Sequence, residues 1–182
     1  MASTYLTRTP SSTGNQKTWT WSGWVKRSRN GDNDPIFCST NGSGTTLQFI
    51  FTNVDNLFWY YYDGTNDYGY TTSAKYRDHS AWYHIVCRVD TTQATASDRV
   101  KIYVNGVQAS APQSHGDIPQ NQDTTMSSTG GMAIGYNYQS TSQNFYANVA
   151  HAHFTDGYAY DASTFGETDS TSGIWKPKTA PS

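Results

Sequence analysis

The stretch from Ala81 to Gly106 limits what this chain can fold into more than any other. It reads AWYHIVCRVD, then TTQATASDR, then VKIYVNG. In the first run Tyr83, Ile85, Cys87 and Val89 share one parity, and Trp82, His84, Val86 and Arg88 the other. In the last run Val100, Ile102 and Val104 alternate with Lys101 and Tyr103. Period-two alternation of β-branched and aromatic residues predicts two half-buried strands. Asn105-Gly106 tolerates positive φ, so the chain is expected to turn there and return as a hairpin through Val107, Gln108 and Ala109. Such strands need a sheet to sit in and a second layer over its apolar face.

The rest of the chain repeats the pattern. Lys17 to Arg27 reads as a strand with Trp on both parities (Trp19 and Trp21 against Trp24), so both of its faces are expected to be covered. Short strands follow at Ile36–Ser39, Thr45–Thr52 and Leu57–Tyr62, then a Gly, Asn and Tyr-rich loop from Asp63 to Tyr70. Ser110 to Gly131 is the longest irregular segment, a length that marks a functional or mobile loop. Met132–Tyr138 and Asn144–Thr155 restore strands. Tyr5 and Leu6 suit an edge strand, and Ala162–Gly166 a single helical turn. No solenoid or propeller repeat and no amphipathic helix is present. The expected fold is all-β: a two-sheet antiparallel β-sandwich. At 182 residues the chain reads as one domain over 1–182, with a polar lead-in (1–16) and a tail (162–182) whose Trp175 packs back on the sandwich.

WYHIVCRVD, a polar loop and VKIYVNG together resemble the central signature of laminin-G-like domains in the concanavalin A-like lectin/glucanase superfamily. The flanks, Tyr5 to Arg27 and Ala150 to Lys178, resemble the two ends of laminin-G-like modules in structural proteins of marine bacteriophages. The resemblance covers nearly the whole chain and implies a jelly roll. It also implies a virion-surface role, decorating a capsid or tail or acting as an adhesin, with other virion proteins and a host-surface glycan as partners.

Charged residues make up only 14% of the chain and aromatic ones 15%, with 14 Tyr and 6 Trp. That balance suits a surface offering rigid aromatic contact area, to a ligand or to further copies in a homo-oligomer. Net charge is −2 and no basic run occurs, which argues against nucleic-acid binding. No apolar run has signal-peptide or membrane-span length, so synthesis in a host cytoplasm without export, and no membrane insertion, are expected. Cys38 and Cys87 sit in apolar strand patterns and are expected to be free and buried.

Catalytic residues are not expected. The glucanases of the superfamily use a Glu-x-Asp-x-x-Glu strand pattern, and a retaining glycosidase needs two carboxyl groups about 5 Å apart. Glu167 is the chain's one glutamate, and that pattern is absent. No Gly-x-Ser-x-Gly nucleophile elbow occurs. His151 and His153 alternate along a strand, where two solvent-facing side chains explain them better than a metal does, because no third and fourth ligand stands nearby in the sequence. His84 reads as a packed strand histidine. No cofactor is required. Calcium is the one candidate ion, with Asp32 and Asp34 in an oxygen-rich run that is equally a good turn.

The most distinctive chemistry is aromatic. Trp59, Tyr60, Tyr61 and Tyr62 run into Tyr68-Gly69-Tyr70. Alternation puts Trp59 and Tyr61 on one face and Tyr60 and Tyr62 on the other, so one pair lies outside the core. Sugar C–H faces stack on such rings while Asp and Asn bond the hydroxyls. The candidate carbohydrate-binding or subunit-contact residues are therefore Trp59, Tyr60, Tyr62, Asp63, Asn66, Tyr68 and Tyr70. A second aromatic set is Tyr136, Tyr138, Tyr146, Tyr158 and Tyr160.

Overall fold

A computed structural model describes residues 4–140 and 143–179; the first three residues of the lead-in and the last three of the tail lie outside the described residues. The strands are β1 (Leu6–Arg8), β2 (Thr18–Arg27), β3 (Asp34–Thr40), β4 (Thr46–Phe51), β5 (Leu57–Tyr62), β6 (Asp67–Thr71), β7 (Tyr83–Asp90), β8 (Val100–Val104), β9 (Val107–Gln108), β10 (Met132–Ile134), β11 (Ala147–Asp156), β12 (Gly166–Thr168) and β13 (Trp175–Pro177). Among the described residues the helical segments are two single 3-10 turns, Ala96–Asp98 and Ala162–Thr164. None is long and apolar enough to cross a membrane.

The strands form two antiparallel sheets, ordered β1-β10-β3-β4-β5-β6 and β11-β2-β7-β8-β9, with β12 and β13 as a small hairpin of their own. The predicted β-sandwich is the observed architecture. The β7–β8 pair lies within the five-stranded sheet, with Ile85 opposite Val104 and Cys87 opposite Ile102. Asn105 (φ 50) and Gly106 (φ 83) make the turn to β9.

Parity decides the core. Trp19 and Trp21 of β2, Leu47, Phe49 and Phe51 of β4, Leu57, Trp59 and Tyr61 of β5, and Ile85, Cys87 and Val89 of β7 point between the sheets and are buried. Each such side chain contributes about 1.5–3 kcal/mol by leaving water. Cys38 and Cys87 are free and buried, and burial raises both thiol pKa values, that of Cys38 to about 12.

The opposite face of the five-stranded sheet is covered as well. Val86 packs with Ala162 and Phe165, and Tyr103, Tyr160 and Trp175 close around them. Trp175 reaches the sheet because Gly106 and Gly166 leave room: a Cβ on either would lie 2.6 or 2.4 Å from its indole.

Three sequence expectations change. The Asp63–Tyr70 loop is a tight turn followed by strand β6, which pairs with β5 from Phe58–Thr71 to Tyr62–Asp67. Ser110–Gly131 is irregular but packed: Ile118 and Met126 are buried, and Thr124 accepts the Trp19 indole N–H at 3.1 Å. β10 stops at Ile134 because Gly135 adopts φ +80.

Candidate functional site

The outward face of β4, β5 and β6 carries three cross-strand rows: Ile50–Phe58–Thr71, Gln48–Tyr60–Gly69 and Thr46–Tyr62–Asp67. Phe58, Tyr60 and Tyr62 stand on one face of β5, half-buried, at the two-residue spacing of a strand, about 6.8 Å. The Phe58 and Tyr60 ring centroids are 5.6 Å apart. His115, from the long irregular segment, completes a triangle with them, 5.6 Å from Phe58 and 5.7 Å from Tyr60. Gly69 makes this triangle possible. A Cβ there would sit 2.8 Å from the Phe58 ring and 3.0 Å from His115 Nδ1.

Two loops border the platform. On one side Ser114 bonds Thr71 through their hydroxyls at 3.0 Å. On the other, Asn137 donates to Gln48 at 3.0 Å and Gln48 donates to Gln139 at 2.6 Å. Tyr60 donates its hydroxyl to Asp67, and Tyr62 donates to the Gly64 carbonyl at 2.9 Å. Burial and the Asp67 carboxylate both raise the Tyr60 pKa, so the phenol stays neutral. The result is a shallow set of rings with polar groups at its margin.

The predicted aromatic residues divide. Tyr60 and Tyr62 lie on the platform. Asp63 and Asn66 build the turn at its end. Asp63 accepts the backbone N–H of Thr65 and Asn66 at 2.8 and 2.7 Å and the Tyr68 hydroxyl at 2.9 Å. Burial opposes the Asp63 charge, but these donors prevail and hold its pKa below the usual range. Trp59, Tyr68 and Tyr70 belong to the core instead. Trp59 shares parity with the buried Leu57, and its ring centroid is 5.8 Å from that of Tyr70. Sequence reasoning missed Phe58, Asp67 and His115. Phe58 was legible, because it shares parity with Tyr60 and Tyr62. His115 carried no local signal.

The second aromatic set is also divided. Tyr136 packs on Tyr5 and Tyr138, and Tyr146 lies under Arg29 at 3.9 Å. Tyr158 and Tyr160 stack against each other beside the five-stranded sheet, where Thr20 accepts the Tyr160 backbone N–H.

Asp32 and Asp34, the candidate calcium ligands, face arginines. Arg29 contacts Asp32 at 2.9 Å and Asp34 at 2.9 Å. Arg27, 1% exposed, lies 3.4 Å from Asp34, 3.0 Å from Asp55 and against the Phe51 ring. Burial raises the Asp34 pKa against the pull of both arginines. Guanidinium groups thus occupy the positions a cation would need. Among the described residues no group of three His, Cys, Asp or Glu side chains is placed to hold a metal.

His84 does not activate Ser22. Ser22 Oγ is 3.0 Å from His84 Nε2, while His84 Nδ1 accepts the Trp175 indole N–H at 2.9 Å. An indole nitrogen only donates, so Nδ1 is the bare nitrogen and Nε2 carries the proton toward Ser22. That tautomer cannot take a proton from Ser22, which is itself fully buried. His151 (φ 48) lies in a β11 bulge, and His153 stacks on Phe165. Glu167 is 3.7 Å from Lys176.

Over residues 2–161 the chain matches the laminin G family model described as concanavalin A-like lectin/glucanases superfamily. This chain belongs to that family. No curated protein sequence matches it. The fold is similar to mouse laminin alpha1 chain domains LG4-5, with a TM-score of 0.62 at 11% identity over 87% of this chain and 40% of that one. It is similar to the Ruminococcus gnavus IT-sialidase CBM40 bound to alpha2,3 sialyllactose, with a TM-score of 0.56 at 15% identity over 86% and 92%. It also resembles a native heptameric SAP-like pentraxin from Limulus polyphemus, with a TM-score of 0.57 at 12% identity over 82% and 68%. At these identities the likeness is one of fold.

Proposed function

We propose that this lectin-like domain is a non-catalytic carbohydrate-binding module whose site is the Phe58–Tyr60–Tyr62–His115 platform. The observation that carries the reading is the row of half-exposed rings on one strand face, with Asp67, Thr71 and Ser114 at its edge. Rings in this arrangement suit the C–H face of a sugar, and the edge groups suit its hydroxyls. The CBM40 relative, which holds a sialylated saccharide on the same fold, supports the class of ligand. The phage-like flanks support display on a virion, on capsid or tail, where the module would meet host-surface glycans.

A glycan array probed with the protein and its Tyr60→Ala variant tests this. Binding to at least one glycan, lost in the variant, is expected. No binding by either protein overturns the reading. The same rings are suited to a subunit contact. If sedimentation shows an oligomer that Tyr60→Ala converts to monomer, that reading takes over. Quantitative mass spectrometry of purified particles separates a virion component from a free lectin. Release of reducing ends from a polysaccharide would overturn the non-catalytic assignment.

A further inference from the structure

On the side of the sandwich away from β1 and β11, the 95–97 turn, β8 and the 108–113 segment enclose a cleft of about 600 Å³. This size lies within the usual range for small-molecule sites. Its base is apolar: Val100 and Ile102 are buried, and Ala109 and Ala111 flank them. Tyr70, whose ring is in the core, places its hydroxyl at the cleft, donating to Asp117 at 3.1 Å and accepting the Ile118 N–H at 3.3 Å.

Four exposed polar side chains at the rim of this cleft, Thr95, Ser97, Gln108 and Gln113, have no hydrogen-bond partner among the described residues and are free to bond a ligand in place of water. The platform differs, because there Tyr60, Tyr62 and Gln48 are already engaged. One of the two charged side chains lining the cleft is paired in place, and the other, Asp117, is a carboxylate that accepts a phenol. Lys101 pairs with Asp98 at 2.9 Å, and Asp117 holds Tyr70 through one oxygen. The wall is also preformed. Thr71 N–H donates to the Pro112 carbonyl at 3.2 Å, and Ser114 N–H donates to the Gly69 carbonyl at 2.8 Å. A preformed wall lowers the ordering penalty of binding.

Two primary amides, two hydroxyls and the Asp117 carboxylate over an apolar base match a ligand that has hydroxyls on its rim and C–H groups on its faces, and the carboxylate disfavours an anionic one. We infer that this cleft is a second saccharide site, taking an uncharged terminal unit of one or two sugar rings. The 110–117 segment separates it from the platform, presenting His115 to one site and Gln113 to the other. The inference stands independently of the platform reading.

The isotope-labelled 182-residue chain, titrated with cellobiose, diacetylchitobiose, mannobiose, lactose and, as a charged probe, glucuronic acid, tests it. The side-chain amide resonances of Gln108 and Gln113 report the cleft, and the ring resonances of His115 report the platform. At least one neutral disaccharide is expected to shift both amides. Gln113→Ala is expected to weaken that binding by about fivefold to tenfold, the loss of one hydrogen bond to the ligand. Tyr60→Ala is expected to leave it unchanged. Movement of the His115 ring alone, or of no resonance with any probe, overturns the cleft site, as does a preference for glucuronic acid. Amide shifts without His115 shifts uphold the cleft and count against the platform.

Discussion

The indole N–H of Trp175 donates to Nδ1 of His84 across 2.9 Å, joining the C-terminal segment to the middle of the five-stranded sheet. Trp24 stacks on the same imidazole at 5.1 Å, Ser22 faces its other nitrogen, and the charge of nearby His153 disfavours protonation.

Burial, then His153, depress the His84 pKa from 6.5 to about 4. The folded state therefore favours the neutral ring. Its contribution to stability is complete above the unfolded value of 6.5 and is lost as pH falls toward 4. By pH 5 about 2 kcal/mol is expected to be gone, before most carboxylates titrate. Denaturant midpoints at pH 7 and pH 5 measure this, and the drop should shrink in His84→Gln. An equal drop in that variant assigns the effect elsewhere.

Trp175→Ala removes both the donor and the cover. A loss of about 2 kcal/mol is expected, below the 3–5 of a wholly buried Trp because this ring is half-exposed. The His84 titration midpoint, followed by NMR, should rise toward 6.5 as water reaches the ring. A midpoint that stays put would show that burial in the sheet alone sets it.

Arg27 is held by two carboxylates, the Tyr76 carbonyl at 2.8 Å and the Phe51 face. Arg27→Met leaves Asp34 to Arg29 alone and Asp55 to Arg77, and a loss of about 2–3 kcal/mol is expected, below that of a fully stranded buried charge. Arg27→Lys keeps the charge without the fork that spans both carboxylates, and should recover only part of that loss. Thermal unfolding of the two variants ranks them.

Calcium is expected to leave the unfolding midpoint unchanged, and a chelator likewise. A bound ion at a hundredfold excess over its Kd would add about 2.7 kcal/mol, a rise that calorimetry detects easily. Such a rise would mean that the arginines around Asp34 yield to the cation.

Gly69→Val should disturb the platform without disturbing the core. Its side chain would push into Phe58 and His115, both on the outward face. Loss of glycan binding with a near-native unfolding midpoint is expected; retained binding would separate the ligand from the ring triangle.

Period-two patterning made most strands legible, because Trp, Ile, Val and Phe alternate wherever one face meets the core. It did not reveal β6, where Gly69 and the Asx-rich turn before it read as loop. That glycine is there for the rings stacked over it, a reason that lies in β5 and residue 115 and leaves no mark beside it. Parity left two orientations for Trp59 and Tyr60. The adjoining Leu57 pointed to the observed one. The cover over Val86 was foreshadowed by Trp24 and His84 standing on a parity that a one-sided sheet would make polar, and by Trp175 in a tail expected to pack back on the sandwich.

The clasp of Trp175 gives the molecule a front and a back. Residues 162–178 lie against the five-stranded sheet, while the ring platform faces out from the six-stranded one. An anchor or fluorescent protein joined at the C-terminal end would therefore hold the domain from behind and leave the platform facing the medium, whereas immobilisation through Asn137–Gln139 would press it against the support.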